Sequence, residues 1–293
     1  MLHLLKLCLL SFTFFTVLAP NPVVAAFFTF QEALDSADEF ALDPMFQAGG
    51  YIEIFDGNGG SSLGGSGVLI HPEWVVTAGH VLLDGGTTRF PQVGFSTNNN
   101  FFETPTNVVM AQDFFEFPGY NDDITSGGGV DLGLIHLSQP IFDVVPAVIG
   151  TSVIGDHIYT SGFGRPGVQF SELPADGIMR AGENEIDDYG WQLAGSTDYY
   201  LTDYETGGFG ISPLPREWQA SPGDSGGGWY NDAGELIAVG AFGRGATVSG
   251  GIRLDLFEDW IYSHVPVPEP GTGILTGLGL AALSRHRRNR DGG

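Results

Sequence analysis

The central part of the chain alternates between short apolar runs and polar turns. From Tyr51 onward, runs rich in Val, Ile and Leu are separated by Gly, Asn, Asp and Pro, as in "YIEIF", "NVVMA", "VDLGLIHL" and "ELIAVGAFG". Short strands at this spacing are typical of an antiparallel sandwich or barrel. The runs do not alternate regularly with helical segments, which argues against a parallel α/β sheet. The pattern therefore predicts an all-β domain.

The N-terminal and late segments follow other patterns. An apolar run, "LCLLSFTFFTVLA", ends in the small residues "VVAA" and predicts a signal peptide over residues 1–26. The alternative, a membrane anchor, needs a longer run of about 20 residues. Residues 27–48 are acidic with some helical character and form a candidate propeptide. One helix is predicted, over residues 254–265, where apolar positions recur at helical spacing without a breaker.

Composition restricts the partners of this domain. The chain has 293 residues and a formal net charge of −24, and residues 27–268 hold 33 Asp and Glu against six Arg. Such a surface repels nucleic acid and anionic lipid. The single cysteine, Cys8, lies in the predicted signal peptide, so a structural disulfide and a cysteine-ligated metal site are excluded.

Three stretches carry candidate chemistry. Ser225 lies between glycines in "SPGDSGGGWY", where the backbone must turn sharply. His80 ends the apolar stretch in "VVTAGH", and Asp131 opens the apolar strand "VDLGLIHL". Amide hydrolysis needs a nucleophile, a base that deprotonates it, and a group that orients the base. A serine, a histidine and a partly buried aspartate can supply these three functions.

In this order the three stretches resemble the histidine, aspartate and serine motifs of the trypsin/chymotrypsin-like serine proteases. "GAFGRG" is similar to the strand that lines the substrate cleft of that family, and "GGIRLDLFEDWI" to its last strand and helix. The resemblance covers about residues 50–264. It implies two antiparallel six-stranded β-barrels and a C-terminal helix, with barrel one over about 49–145 and barrel two over about 146–253. The protease domain as a whole would span residues 49–265.

The resemblance also assigns roles to residues. His80, Asp131 and Ser225 would be the catalytic residues, and the N–H groups of Gly223 and Ser225 would form the oxyanion hole. Five residues would line the substrate pocket: Gln219, Ala241, Phe242, Gly243 and Gly251. Gln219 occupies the position where trypsin-like members carry an aspartate, so basic side chains should not be strongly favoured at the cleavage site. The mechanism requires no cofactor, and no metal ligand is assigned.

One departure from the family concerns activation. Many members are cleaved to free an Ile or Val amine, which pairs with the aspartate before the nucleophile. Asp224 is present, but no "IVGG"-like stretch precedes Tyr51. Either the 27–48 segment supplies another partner, or local hydrogen bonds satisfy Asp224, because an unpaired buried carboxylate would be costly.

Two other hydrolase types fit the sequence poorly. G-x-S-x-G is also the nucleophile elbow of α/β-hydrolases, which needs a helix after the serine and a histidine far downstream. Here a turn and a strand follow Ser225, and only His264 and His286 lie downstream. A zinc protease would show H-E-x-x-H, which is absent from the sequence.

The C-terminal residues 266–293 resemble a PEP-CTERM sorting signal. Pro268-Glu269-Pro270 is followed by a short apolar stretch and then by arginines, an order also typical of a stop-transfer segment. The alternative is a disordered glycine-rich tail. The resemblance implies export in a Gram-negative bacterium to the envelope or extracellular matrix, with transient membrane association through a short transmembrane segment and processing by sorting machinery.

The sequence thus predicts a secreted serine endopeptidase that acts on proteins or peptides through an acyl-enzyme. The alternative is a weak or inactive protease-like binding protein of the extracellular matrix.

Overall fold

The computed structural model describes residues 26–84, 88–103, 107–120, 129–168, 171–190, 197–205, 213–244 and 247–266. Most of the predicted signal peptide and the apolar part of the tail lie outside the described residues. Within these ranges, no helix has the length and apolar character needed to cross a membrane.

Strands dominate the described structure. In chain order they are β1 (Ala26–Phe28), β2 (Gly49–Phe55), β3 (Ser61–His71), β4 (Trp74–Thr77), β5 (Leu83–Asp84), β6 (Thr88–Arg89), β7 (Gln92–Ser96), β8 (Val109–Glu116), β9 (Gly133–Leu137), β10 (His157–Gly162), β11 (Pro166–Val168), β12 (Ser171–Glu172), β13 (Arg180–Glu185), β14 (Asp188–Tyr189), β15 (Tyr199–Asp203), β16 (Trp218–Gln219), β17 (Gly228–Tyr230), β18 (Leu236–Arg244) and β19 (Val248–Arg253). The helices are α1 (Gln31–Asp35), α2 (Ala37–Phe40) and α3 (Glu258–His264), with two 3-10 turns at Pro44–Phe46 and Gly79–Leu82.

The first half of the domain is a closed antiparallel barrel. Its six strands pair in the order β2-β3-β4-β9-β8-β7, and β7 returns to β2. Strand β4 is buried at all four positions, which suits its "WVVT" sequence because β-branched and aromatic side chains pack well on a pleated surface. The six-stranded barrel predicted for this half of the chain is confirmed.

The second half is a seven-stranded antiparallel sheet in the order β13-β10-β17-β18-β19-β15-β14. It curves as a half-barrel and is not closed by hydrogen bonds among the described strands. The extra strand is the two-residue β14, which pairs only with β15 at one edge of the sheet. The all-β class is confirmed, and the two halves together have the architecture of the trypsin fold.

The C-terminal helix is shorter than the sequence predicts. Residue 254 starts a turn, and α3 begins only at Glu258. Leu254 is fully buried, and its N–H donates to the carbonyl of Ile237 in β18. This tertiary contact fixes the chain to the sheet and delays the helix by one turn.

The N-terminal segment packs into the body of the protein. Strand β1 runs parallel to β11 and antiparallel to β16, so it lies between them in a small sheet. Phe28 and Phe46 are fully buried. The segment therefore contributes to the hydrophobic core and to a sheet next to the Ser225 loop.

Candidate active site

His80 is placed by the transition from strand to turn. It lies in the 3-10 turn Gly79–Leu82 that follows β4. Its backbone N–H donates to Oδ1 of Asp131 at 2.8 Å, and its Nδ1 lies 2.7 Å from Oδ2 of the same carboxylate. One carboxylate thus holds both the backbone and the ring of His80.

The ring of His80 also reaches Ser225. Its Nε2 lies 2.7 Å from Oγ of Ser225. A carboxylate only accepts hydrogen bonds, so Asp131 keeps the proton on Nδ1 and leaves Nε2 as an acceptor for the serine hydroxyl. The structure therefore brings together the three side chains that the sequence predicted, across 145 residues of chain between His80 and Ser225.

Asp131 lies in a nearly closed environment. The residue is 9% exposed and lies two positions before β9, whose first three residues are buried. Tyr199 lies close to it: burial and then the negative charge of Asp131 raise the pKa of the Tyr199 phenol. Tyr199 therefore stays neutral beside the carboxylate. Sequence reasoning missed this residue, because nothing in "STDYYLTD" indicates that its ring contacts the site.

The loop before Ser225 presents two free N–H groups. Gly223 has φ = +108°, and a Cβ there would lie 2.8 Å from the carbonyl oxygen of Phe163, so only glycine fits. Among the described residues, the N–H of Gly223 and the N–H of Ser225 donate no hydrogen bond. Both remain available to an oxygen atom of a ligand.

Hydrogen bonds hold the peptide planes of this loop. The carbonyl of Pro222 accepts from the N–H of Arg165 at 3.3 Å, and the carbonyl of Asp224 accepts from the N–H of Gly227 at 2.8 Å. In a trans peptide the C=O and the following N–H point in opposite directions. The N–H groups of Gly223 and Ser225 are therefore directed away from these two anchors.

Ser66 fastens the same loop to the barrel. Its hydroxyl donates to the carbonyl of Gly223 at 2.8 Å and accepts from the N–H of Phe163 at 3.1 Å. Its backbone N–H donates to the carbonyl of Ser225 at 2.7 Å. A serine inside strand β3 carries no sequence signal for this role, so sequence reasoning did not find it.

Asp224 is satisfied locally. Its carboxylate accepts the N–H of Gly164 at 2.7 Å and the N–H of Ser221 at 2.8 Å. Burial raises its pKa to about 6, and the two backbone hydrogen bonds oppose that rise. The sequence left two explanations open for how Asp224 is satisfied, and the structure shows the local hydrogen bonds. The N-terminal segment supports Asp224 indirectly. Its strand β1 pairs with β11, which follows Gly164, and with β16, which precedes Ser221.

The predicted pocket residues lie on β16 and on the paired strands β18 and β19. Gln219 is 1% exposed and pairs with Phe27 of β1, whereas the ring of Phe242 contacts the ring of Tyr199 at a centroid distance of 5.4 Å. Gly243 faces Ala220: an added Cβ would lie 2.8 Å from its carbonyl oxygen.

The other two predicted pocket residues, Ala241 and Gly251, lie on the paired strands β18 and β19. Ala241 is buried in β18. Gly251 makes room for the Trp229 indole, because a Cβ there would lie 2.9 Å from the indole ring.

A six-stranded barrel beside an antiparallel half-barrel, with His, Asp and Ser joined where the two meet, defines the fold of a trypsin-like serine protease. The chain belongs to the trypsin family, whose model matches residues 50–261. Residues 266–288 match the PEP-CTERM protein-sorting motif, which points to export to the bacterial cell envelope or beyond it.

Solved structures share this fold at low sequence identity. HL collagenase aligns with a TM-score of 0.58 and 18% identity, covering 77% of this chain and 96% of its own. Human heparin binding protein aligns with a TM-score of 0.56 and 17% identity, covering 78% of this chain and 95% of its own. No curated protein sequence matches the chain.

Proposed function

We propose that the protein is a serine endopeptidase that cleaves peptide bonds through an acyl-enzyme intermediate. The observation that carries this proposal is the pair of side-chain contacts that joins Asp131 to His80 and His80 to Ser225, both at 2.7 Å. Distances of this size allow direct proton transfer between the serine hydroxyl and the imidazole.

The reaction follows from this geometry. His80 Nε2 takes the proton of the Ser225 hydroxyl while Oγ attacks the substrate carbonyl carbon. The carbonyl oxygen becomes an oxyanion, which the N–H groups of Gly223 and Ser225 stabilise. The imidazolium then donates its proton to the leaving amine, and an acyl-enzyme remains on Ser225. Water, deprotonated by His80, hydrolyses the acyl-enzyme and regenerates the serine.

The alternative, an inactive protease-like binding protein, has less support. Its expected mark is a lost or displaced triad residue, and all three are in contact here. One neighbour in fold is named for heparin binding. Heparin is a polyanion, and a chain with a net charge of −24 would repel it.

We propose that the exported protein keeps its acidic N-terminal segment. The buried Phe28 and Phe46 and the pairing of β1 with β16 support this proposal, since removing residues 27–48 would expose the core beside the Ser225 loop. N-terminal sequencing of the exported protein is expected to begin at Phe27, after cleavage behind Ala26. A sequence that begins near Gly49 would show instead that the segment is a propeptide.

We also propose the remaining steps of export. Residues 1–26 direct secretion in a Gram-negative bacterium, and the apolar part of the tail holds the protein briefly in the membrane until the sorting system cuts near Pro268-Glu269-Pro270. The PEP-CTERM match supports this order of events. Intact mass of the exported protein checks the cut, because a retained tail would add the mass of residues 271–293.

The test of the proposed function is a library of internally quenched peptides. The exported wild-type protein is expected to cleave internal amide bonds, and the Ser225→Ala protein, purified in the same way, serves as a blank for contaminating proteases. Because the buried Gln219 carries no charge, Arg and Lys should not dominate at the cleavage site. Hydrolysis of esters without any peptide cleavage would contradict the proposal, and a dominant Arg or Lys signal would contradict the specificity.

A further inference from the structure

Ser66 connects two loops that lie far from it in the sequence. It is 1% exposed, in the middle of β3, and 157 residues before Gly223. Its hydroxyl donates to the carbonyl of Gly223 at 2.8 Å and accepts the N–H of Phe163 at 3.1 Å. An N–H group can only donate, so the bond from Phe163 leaves the serine proton for the carbonyl of Gly223. The direction of both hydrogen bonds is therefore fixed.

The backbone of Ser66 also lies against the nucleophile. Its N–H donates to the carbonyl of Ser225 at 2.7 Å, and its carbonyl accepts the hydroxyl of Thr77 at 2.8 Å. Thr77 is fully buried at the end of β4, three residues before His80. A Cβ at Gly226 would collide with the carbonyl oxygen of Ser66, so the two segments are in direct contact. Ser66 therefore lies between the strand that leads to His80 and the loop that holds Ser225.

Gly223 needs such a contact, because glycine does not select its own conformation. Its φ of +108° lies in a region that glycine populates about as readily as negative φ values. The peptide plane after it is held from two sides: its carbonyl accepts from Ser66, and the N–H of Asp224 donates to the carbonyl of Ser221 at 2.9 Å. Without the hydroxyl of Ser66, one of these bonds is lost, and the buried N–H of Phe163 loses its acceptor. An unpaired buried N–H is costly, so the loop is expected to shift.

We propose that Ser66 is a positioning residue of the active site. Its hydroxyl selects the conformation of Gly223 in which the N–H of Gly223 and the N–H of Ser225 are directed to the same oxyanion. Ser66 is buried and acts through the backbone of the loop. The proposal rests on the proposed function, because it assigns a part in peptide cleavage. Donors that are fixed in advance stabilise an oxyanion best, so a small rotation of Gly223 should slow the chemical step.

Steady-state kinetics of Ser66→Ala on a peptide identified in the library test this assignment. We expect kcat to fall by about tenfold or more, up to the hundred- to thousandfold that loss of one oxyanion donor typically costs. KM should change by less than about threefold, because the oxyanion exists only in the transition state and not in the bound substrate. A smaller fall in kcat, or a loss that comes mainly from a higher KM, would overturn the proposal.

Ser96→Ala is the matched control. Ser96 is also 1% exposed and lies in β7 of the same barrel, where its hydroxyl accepts the N–H of Asn98 at 3.2 Å. Both variants remove a buried hydroxyl from the barrel, so Tm should fall in both. In Ser96→Ala, kcat should stay within about twofold of wild type. An equal loss of kcat in the two variants would mean that general destabilisation causes the effect, which would overturn the proposal.

Ser66→Cys gives a second kinetic readout in case the alanine variant does not fold. A thiol is a weak donor and a weak acceptor, so it should hold Gly223 and Phe163 less firmly than the hydroxyl does. We expect kcat to fall by about threefold or more. A folded Ser66→Cys protein with a smaller loss of kcat would overturn the proposal.

Amide hydrogen exchange tests the same contact without any activity. Residues 162–165 and 221–226, followed by mass spectrometry, should exchange about tenfold faster or more in Ser66→Ala, because Phe163 has lost its acceptor. In Ser96→Ala both segments should exchange at the wild-type rate. Equal exchange in Ser66→Ala and the wild type would overturn the proposal. If the exchange is faster as expected but the wild type cleaves no peptide, the proposed function fails, while the contact of Ser66 with the loop is supported.

Discussion

Replacing Ser225 by alanine is expected to lower kcat/KM for peptide hydrolysis by about six orders of magnitude. Of the three side chains, only Ser225 has the hydroxyl that would form the acyl-enzyme. Without it, only the rate enhancement from the N–H groups of Gly223 and Ser225 is left. His80→Ala should cost about as much, because the serine then has no base at 2.7 Å. The double variant should be no slower than either single variant, since the two residues act as one unit.

The measurement is kcat/KM on a peptide identified in the library, with folding checked by melting temperature. Ser263→Ala is the matched control: this serine is exposed on α3, and its hydroxyl bonds the carbonyl of Trp260. Its activity should stay within a factor of two of wild type. Retention of more than about one percent of wild-type activity by Ser225→Ala would contradict the assignment of the nucleophile.

Asp131→Asn is expected to lower kcat by about four orders of magnitude while leaving KM nearly unchanged. The carboxylate accepts both the backbone N–H and the Nδ1–H of His80. An asparagine oxygen can replace only one acceptor, and with that oxygen on the backbone N–H the amide NH₂ faces Nδ1. The imidazole proton then moves to Nε2, and a protonated Nε2 cannot accept the proton of the serine hydroxyl.

The Asp131 variant has a readout that a damaged fold would not reproduce. Its melting temperature should change by no more than a few degrees, whereas kcat should fall nearly to background. Asp143→Asn, at an exposed aspartate outside the site, is the control and should behave as wild type. A loss of less than tenfold in kcat would mean that Asp131 does not set the tautomer of His80.

Local patterns were sufficient to predict the features that depend on short stretches of chain. Alternating apolar runs predicted the strands of the first barrel, and "VVTAGH" predicted a histidine at the end of one of them. The three motifs also predicted which residues meet, because their order matches a known family. Resemblance, rather than periodicity, supplied that long-range information.

Other features depend on contacts that no local pattern encodes. Ser66 holds the carbonyl of Gly223 across 157 residues, and a serine in a strand looks the same whether or not it makes such a bond. Leu254 was predicted to begin a helix, but its bond to Ile237 ties it to the sheet. The composition of residues 27–48 predicted a candidate propeptide and did not indicate that Phe28 is fully buried.

Covalent labelling with a fluorophosphonate tests the central claim most directly, because the reagent needs a serine whose hydroxyl is activated by a neighbouring base. We predict stoichiometric labelling of the wild-type protein, located by mass spectrometry on Ser225. Labelling should be lost in Ser225→Ala and slowed by several orders of magnitude in His80→Ala. An unlabelled wild-type protein that is folded, or a label on another residue such as Ser221, would contradict the account.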